Sequence, residues 1–475
     1  MKIHLNNFRS FKKEVFDFSR INILIGENSS GKSSLLKFLL MLKQSAFNSN
    51  DSNLTLSGNL VDLGNYKEMI HYQDVRKKLS FAFSTDIEYK DYFLSFMSDF
   101  EEDQEESEEN LAKKRSTLKS ISAQFDKAFN NETTVFIELN KELNKHENIK
   151  TVIKNKALGT LEIHQIKKET LTKSNFVNVL TPRCHITYFR NNSQAIRIEN
   201  LRFDKNACFT IVNGIDIEDA IQKEHNVSAF NEIAFLLVSQ NYFIDYFSKI
   251  EFVSSVKNIP ERYYFERDKK RFIRANDIQS IINVIGDNDV PKAVLDKFIQ
   301  TVNKFGIAED LKVIKGDKVA VKELRVKVSD LFSNIVDVGY GVGLQLPILF
   351  QACVSEIMYK GEIIIIEQPE VHLHPSLQAK FIEALLSIGD KNKYYIETHS
   401  EHIIRKLQIL IKSKFRNIRP DDVSIYYLKK GDQKSIKSRH DISEDGRISS
   451  PFPDGFFDTS YTLAKELVFN KINID

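Results

Sequence analysis

The stretch Ile21-Asn22-Ile23-Leu24-Ile25-Gly26-Glu27-Asn28-Ser29-Ser30-Gly31-Lys32-Ser33-Ser34 decides the fold. Ile21–Ile25 is a short apolar run bounded by polar residues, which predicts a buried strand. Gly26 to Ser33 then fits G-x-x-x-x-G-K-[ST] at every fixed position, and Ser33–Leu42 carries leucines at helical spacing. Strand, glycine loop and helix are adjacent, the context in which this motif cradles phosphates. The glycines let successive backbone N–H groups curl around an anion, and the helix N-terminus adds a partial positive charge. Lys32 can reach the β- and γ-phosphates while the Ser33 hydroxyl ligates Mg²⁺. The expected cofactors are therefore ATP and Mg²⁺, held by Gly26, Glu27, Asn28, Ser29, Ser30, Gly31, Lys32, Ser33 and Ser34.

Working outward, Ile3–Phe8 and Val15–Phe18 read as a hairpin that turns near Asn7–Ser10. A second group of strand and helix signals comes late. Ile363–Ile366 is a β-branched run ending in Glu367-Gln368-Pro369-Glu370, Leu377–Ile388 is helix-like, and Tyr394–Ile396 is a shorter run ending in Glu397-Thr398-His399-Ser400. The two ends together alternate strand and helix, as a layered α/β sheet does. A strand that ends in an acid puts a hard oxygen ligand at the sheet's C-terminal edge, which makes Glu367 the candidate metal-side acid beside Ser33. Gln368 can position water and cannot accept its proton, so Glu370 is the candidate general base. At the exit of the last strand, His399 can hydrogen-bond a γ-phosphate; a capping or surface role is the alternative.

Residues 86–330 differ in character. Asp99–Glu109 holds eight acids in eleven residues, and Ala112–Lys127 and Asn140–Lys156 are basic and helix-favouring. Such blocks are solvated surface or an arm that touches a partner. Asn231–Phe252 reads as a buried helix. The expected organisation is a split head, 1–85 and 331–475, around an inserted, mostly helical arm and lid at 86–330. The chain of 475 residues is long enough for two to four domains at roughly 100–200 residues each. With 67 Lys and Arg against 65 Asp and Glu, the net charge of +2 sets up no global field toward nucleic acid. A DNA site would have to be local, and Arg267, Lys269, Lys270, Arg271 and Arg274 form the best patch, with a plain solvated face as the alternative. Cys184, Cys208 and Cys353 lie far apart, against a disulfide scaffold or a zinc site and in keeping with a reducing cytoplasm. The N-terminal stretch lacks the apolar core of a signal peptide, and no run approaches the ~20 apolar residues that span a bilayer, so no membrane role is expected.

The series NFRSF, INILIGENSSGKSSLL, IIIIEQPEVHLHP and IETHSEHII resembles the ABC-like ATPases of the SMC, RecF and OLD group. It is most similar to small bacterial AAA ATPases that end in a Phe-Pro-x-Gly-Phe-Phe-Asp element, here Phe452–Asp458. The resemblance covers about a third of the chain, all in its two ends. It implies an α/β fold with an ABC-type P-loop ATPase head. It places Glu367 as the Walker B acid, Gln368 at the usual catalytic-glutamate position, His372–Pro375 as the D-loop region and His399 as the switch histidine. Glutamine at that position implies either slow hydrolysis or a turnover that relies on Glu370. Asp337–Gln345 lies where the signature motif belongs, with Gly341 and Gly343 as nucleotide contacts. Gly343 stands where near relatives have serine. Gln44 and Gln73 are both candidates for the Q-loop ligand, with Gln73 taken on the metal side. Because one Walker A and one signature segment face each other across a dimer in such proteins, the resemblance implies an ATP-dependent homodimer or higher even oligomer.

The same likeness implies a switch that controls a nuclease or toxin effector in bacterial anti-phage defence of the PARIS or Septu type, with DNA or a phage protein as a further partner. The alternative is a RecF- or SMC-like clamp that binds DNA in repair. After His399 the acids Asp421, Asp441, Glu444, Asp445, Asp454 and Asp458 are scattered among basic residues without paired strand-terminal acids, so no nuclease activity is expected in this chain.

Overall fold

The computed structural model describes residues 1–47, 54–84, 88–99, 123, 125–139, 148–169, 180–190, 196–202, 227–254, 260–265, 277–316, 321–432 and 434–453. They divide into two compact units, Met1–Phe18 with Lys37–Lys249, and Ser19–Leu36 with Ile250–Asp475. The cuts fall near 18, 36 and 249, away from the expected 85 and 330. The reason is a strand at Ile250–Ser254 that pairs in parallel with Ile363–Glu367 and so belongs to the late half.

The chain begins with β1 (Lys2–Phe8), β2 (Phe11–Asp17), β3 (Ile21–Gly26) and α1 (Lys32–Phe47). The first unit continues through α2 (Tyr66–Met69), β4 (Leu79–Ser84), α3 (Glu88–Asp99), β5 (Thr133–Leu139), β6 (Asn148–Asn155), β7 (Gly159–Glu169), β8 (Leu180–Arg190), β9 (Ile196–Arg202) and α4 (Val227–Ser248). Its sheet is antiparallel in the order β2-β1-β4-β5-β6-β7-β8-β9. The hairpin expected at the N-terminus is present, with Phe8 opposite Phe11 at its closed end. Phenylalanines knit this unit together: Phe38 meets Phe8 and Phe81 edge-on, and Phe235 of α4 packs on Phe93 and Phe125.

Two expectations about the insertion need correction. Asn148–Asn155 is a strand, not a helix, because pairing with β5 on one side and β7 on the other outweighs the helix-favouring lysines. The described part of 86–330 is mixed strand and helix instead of mostly helical. The buried helix expected over Asn231–Phe252 ends at Ser248, and its last residues pass into the following strand. Residues 100–109, the basic patch at 267–274, Cys208, most of 112–127 and the 454–458 part of the C-terminal element lie outside the described residues.

The second unit holds β10 (Ile250–Ser254), β11 (Tyr264–Phe265), α5 (Ile278–Gly286), α6 (Lys292–Phe305), β12 (Asp310–Lys315), β13 (Val321–Val328), β14 (Leu331–Asn334) and α7 (Tyr340–Met358). It closes with β15 (Ile363–Glu367), α8 (Pro375–Ile388), β16 (Lys393–Glu397), α9 (Glu401–Lys412), β17 (Val423–Lys430) and β18 (Ser435–His440). The main sheet has the order β10-β15-β16-β3-β17-β18 and is parallel except for the β17–β18 pair. All of β3 and the isoleucines of β15 are buried, as parallel strands covered on both faces require. The helix α7 is apolar and long enough to cross a bilayer, contrary to the sequence expectation, but 83% of its apolar window is buried as a core helix of this unit.

Candidate nucleotide site

The glycine loop leaves β3 at the middle of the parallel sheet, beside the exits of β16 and β17. Gly26 turns there with φ 132°, Ser29 with φ 61° and Gly31 with φ 107°, so the chain reverses inside the loop and α1 starts at Lys32. A Cβ on Gly26 would overlap the carbonyl of Leu428 on β17, so only glycine fits. Glu27 N–H donates to that same carbonyl at 3.1 Å, and the Glu27 carboxylate accepts from Lys430 N–H at 3.0 Å. Glu27, Asn28 and Ser29 form the exposed rim, whereas Ser30, Gly31 and Lys32 are buried and Ser33 and Ser34 are half-buried.

The Lys32 ammonium donates to the Gly26 and Glu27 carbonyls at 3.0 and 2.7 Å. Burial lowers its pKa, and the charges of Glu397 and Glu27 pull it back up. Ser33 Oγ donates to Glu397 Oε1 at 2.9 Å. Glu397, to which the sequence alone assigns no role, ends β16 in register with Glu367 at the end of β15. The only signal available was a second strand-terminal acid, two residues ahead of His399. Burial raises the Glu397 pKa most, Glu367 and Glu370 raise it further, and Ser33 and Lys32 oppose them. Its Oε2 and the Ser30 hydroxyl are buried without hydrogen-bond partners.

Glu370 is placed differently from a free base. Its two oxygens accept from Thr398 Oγ1 at 2.7 Å and His399 N–H at 2.6 Å, so the carboxylate clamps the turn that carries the histidine. Gln368 sits in a left-handed conformation, φ 45°, with its N–H on the Glu397 carbonyl at 2.7 Å. The His399 ring, exposed at the strand exit, is held below the ordinary histidine pKa by desolvation and by the Lys32 charge, with Glu370 opposing. His374 caps α8 by accepting from Ser376 N–H at 3.3 Å.

Gly341 and Gly343 open α7, and each is enclosed by its own chain. A Cβ on Gly341 would press on the His372 carbonyl, and one on Gly343 would overlap the Pro260 ring. The second contact gives a packing reason for glycine at that position. Gln345 donates to the Pro369 carbonyl at 2.8 Å and ties the start of α7 to the loop after β15. Of the two Q-loop candidates, Gln44 is consumed structurally. Its amide donates to the Thr55 and Val61 carbonyls and accepts from Leu60 and Val61 N–H groups. Gln73 is exposed, with φ 53°, at the end of a short turn in the first unit.

Comparison with known families agrees with the loop. Residues 1–404 match the AAA ATPase domain family AAA_15. The chain belongs to that family. Residues 418–467 of this AAA ATPase, which include β17 and β18, match a second family described as a protein of unknown function, DUF3696. No curated protein matches it. Solved structures similar to this AAA ATPase include an SMC head bound to the C-winged helix domain of ScpA, at 11% identity over 92% of this chain and 97% of that one, with a TM-score of 0.42. Another is the SMC head domain from Thermotoga maritima, at 10% identity over 92% and 97%, with a TM-score of 0.34. A third is an SMC head with an extended coiled coil bound to the C-terminal domain of ScpA derived from Pyrococcus furiosus, at 11% identity over 98% of each chain, with a TM-score of 0.37.

Proposed function

We propose that this AAA ATPase is a molecular switch that binds Mg²⁺-ATP in the loop at 26–34, associates with a second copy of itself through the nucleotide, and thereby controls a partner effector. The observation that carries the nucleotide part is the pair Lys32 and Ser33 at the head of α1, with Ser33 Oγ bonded to an acid on the adjacent strand. The loop amides bind phosphate oxygens, and the helix N-terminus favours their charge. Lys32, now turned onto two loop carbonyls, exchanges them for phosphate oxygens, a swap of neutral acceptors for charged ones. The residues fit a magnesium ion: Ser33 and the orphaned oxygen of Glu397 lie together, with Glu367 paired in register beside Glu397. Among the described residues no three His, Cys, Asp or Glu form a metal cluster. When bound, magnesium neutralises charge on the β- and γ-phosphates.

Gln368 orients the attacking water without accepting its proton, which sets slow turnover, and His399 contacts the γ-phosphate as a neutral ring. Gly341 and Gly343 present the N-terminus of α7 to the nucleotide of the second copy. The effector, a nuclease or toxin of an anti-phage system, is inferred from the resemblance of the motif series, and cleavage belongs to that partner.

The test uses the full chain. Wild type should bind a radiolabelled non-hydrolysable ATP analogue with Mg²⁺ and double its mass by light scattering when it does so. Lys32→Ala should abolish both. Normal hydrolysis in Lys32→Ala would remove the loop from the chemistry, and a monomer at saturating analogue would remove the switch. Duplex-DNA binding that weakens steeply with salt would favour the repair clamp instead.

A further inference from the structure

Glu397 stands at the exit of β16, directly beside the strand that carries the glycine loop, whereas Glu367 lies one strand farther away. That difference is worth about 4.8 Å across a sheet. Glu397 is only 5% exposed, its Oε1 accepts from Ser33 Oγ at 2.9 Å, and its Oε2 has no hydrogen-bond partner. An unsatisfied buried carboxylate oxygen is costly, and a cation bound beside it in the working state would satisfy it. Glu370 offers no comparable oxygen, because both of its own are taken by Thr398 and His399. A serine hydroxyl has one proton and two lone pairs. With its proton committed to Glu397, the Ser33 oxygen keeps its lone pairs for a cation.

Resting on the nucleotide reading above, we propose that Glu397 is a second metal-side acid. It fixes the Ser33 hydroxyl in a ligating orientation and contributes its unpaired oxygen to the magnesium shell, a role that Glu367 on the more distant strand does not replace. Magnesium bound by P-loop proteins uses one or two carboxylates beside phosphate oxygens, so a second acid is within its coordination habit. The two acids in register also repel each other, and a cation between the strand ends removes that repulsion.

The experiment titrates Mn²⁺, followed by electron paramagnetic resonance, into the full chain saturated with a non-hydrolysable ATP analogue. Glu397→Gln should weaken Mn²⁺ binding by roughly 10–100-fold, the range seen when groups that orient metal ligands are lost. Its analogue binding in EDTA should not weaken, since the substitution removes a negative charge beside the phosphates, and its metal-free melting temperature should equal wild type or exceed it. Glu397→Asp, which keeps the charge on a shorter stem, should fall between the two, and it carries the test if Glu397→Gln does not fold. Wild-type Mn²⁺ affinity in either folded variant, with the loss confined to Glu367→Gln, would overturn the proposal. A wild-type chain that binds no analogue would instead sink the nucleotide reading itself, which the EDTA measurement tells apart.

Discussion

At Gly26 the backbone adopts φ 132°, and any side chain would run into the Leu428 carbonyl, so the residue is fixed by the neighbouring strand before any nucleotide is considered. Gly26→Ala is therefore expected to destabilise the nucleotide-free protein by about 2–4 kcal/mol, backbone strain plus overpacking, read as a lower denaturation midpoint in urea. An unchanged midpoint would mean that the loop relocates without cost. Cys353 gives a second residue-scale expectation. It is fully buried in α7, and burial pushes its thiol pKa up to about 12. The raised value means that stability is whole below the thiol's ordinary range and is lost as pH climbs through it toward 12. At pH 8 the thiolate fraction is about 10⁻⁴, so iodoacetamide should leave Cys353 unlabelled in the native chain and label it in guanidinium, as peptide mass spectrometry would report. Native labelling at the rate of a free thiol would contradict its place in the core.

At the scale of elements, the loop and its strand were legible because fixed spacing, an apolar run and a following helix agree, and each demands a specific backbone. Glu397 was not, because an acid before Thr398 reads in one dimension as an ordinary strand end; only the parallel register of β15 and β16 sets it level with Glu367 and beside Ser33. The hold of Glu370 on the Thr398–His399 turn was hidden for the same reason, since it depends on a neighbouring strand. The strand at 148–155 was hidden by lysines that favour a helix locally and yield to ladder pairing on both sides. The start of α7 allows a direct test of structural against ligand roles. Gly339 has no atom within 4 Å of an added Cβ, whereas Gly341 and Gly343 press on His372 and Pro260. Gly339→Ala should keep the urea midpoint, within ~0.5 kcal/mol. Gly343→Ala should cost about 1–3 kcal/mol with no nucleotide present. Equal stability in the two variants, with nucleotide-dependent association lost only in Gly343→Ala, would assign that glycine to the ligand and not to the packing.

The chain divides into two compact units and passes between them near residues 18, 36 and 249. The second of those crossings lies inside α1, whose first turn carries Lys32 and Ser33 in one unit and whose remainder belongs to the other. A ligand at the head of α1 therefore stabilises one unit directly and the other only through helix continuity. For a ligand at 100 times its dissociation constant the direct term is about 2.7 kcal/mol. In a unit of this size that is worth about 5–10 °C of melting temperature. Calorimetry with saturating Mg²⁺ and a non-hydrolysable ATP analogue should therefore show the transition of the loop-bearing unit rising by that amount and the other rising less. Lys32→Ala should hold both in place. If both transitions rise together by the full amount, α1 transmits the whole effect and the chain melts as one cooperative block. If only the transition of the other unit moves, the ligand is bound elsewhere and the loop at 26–34 is not its seat.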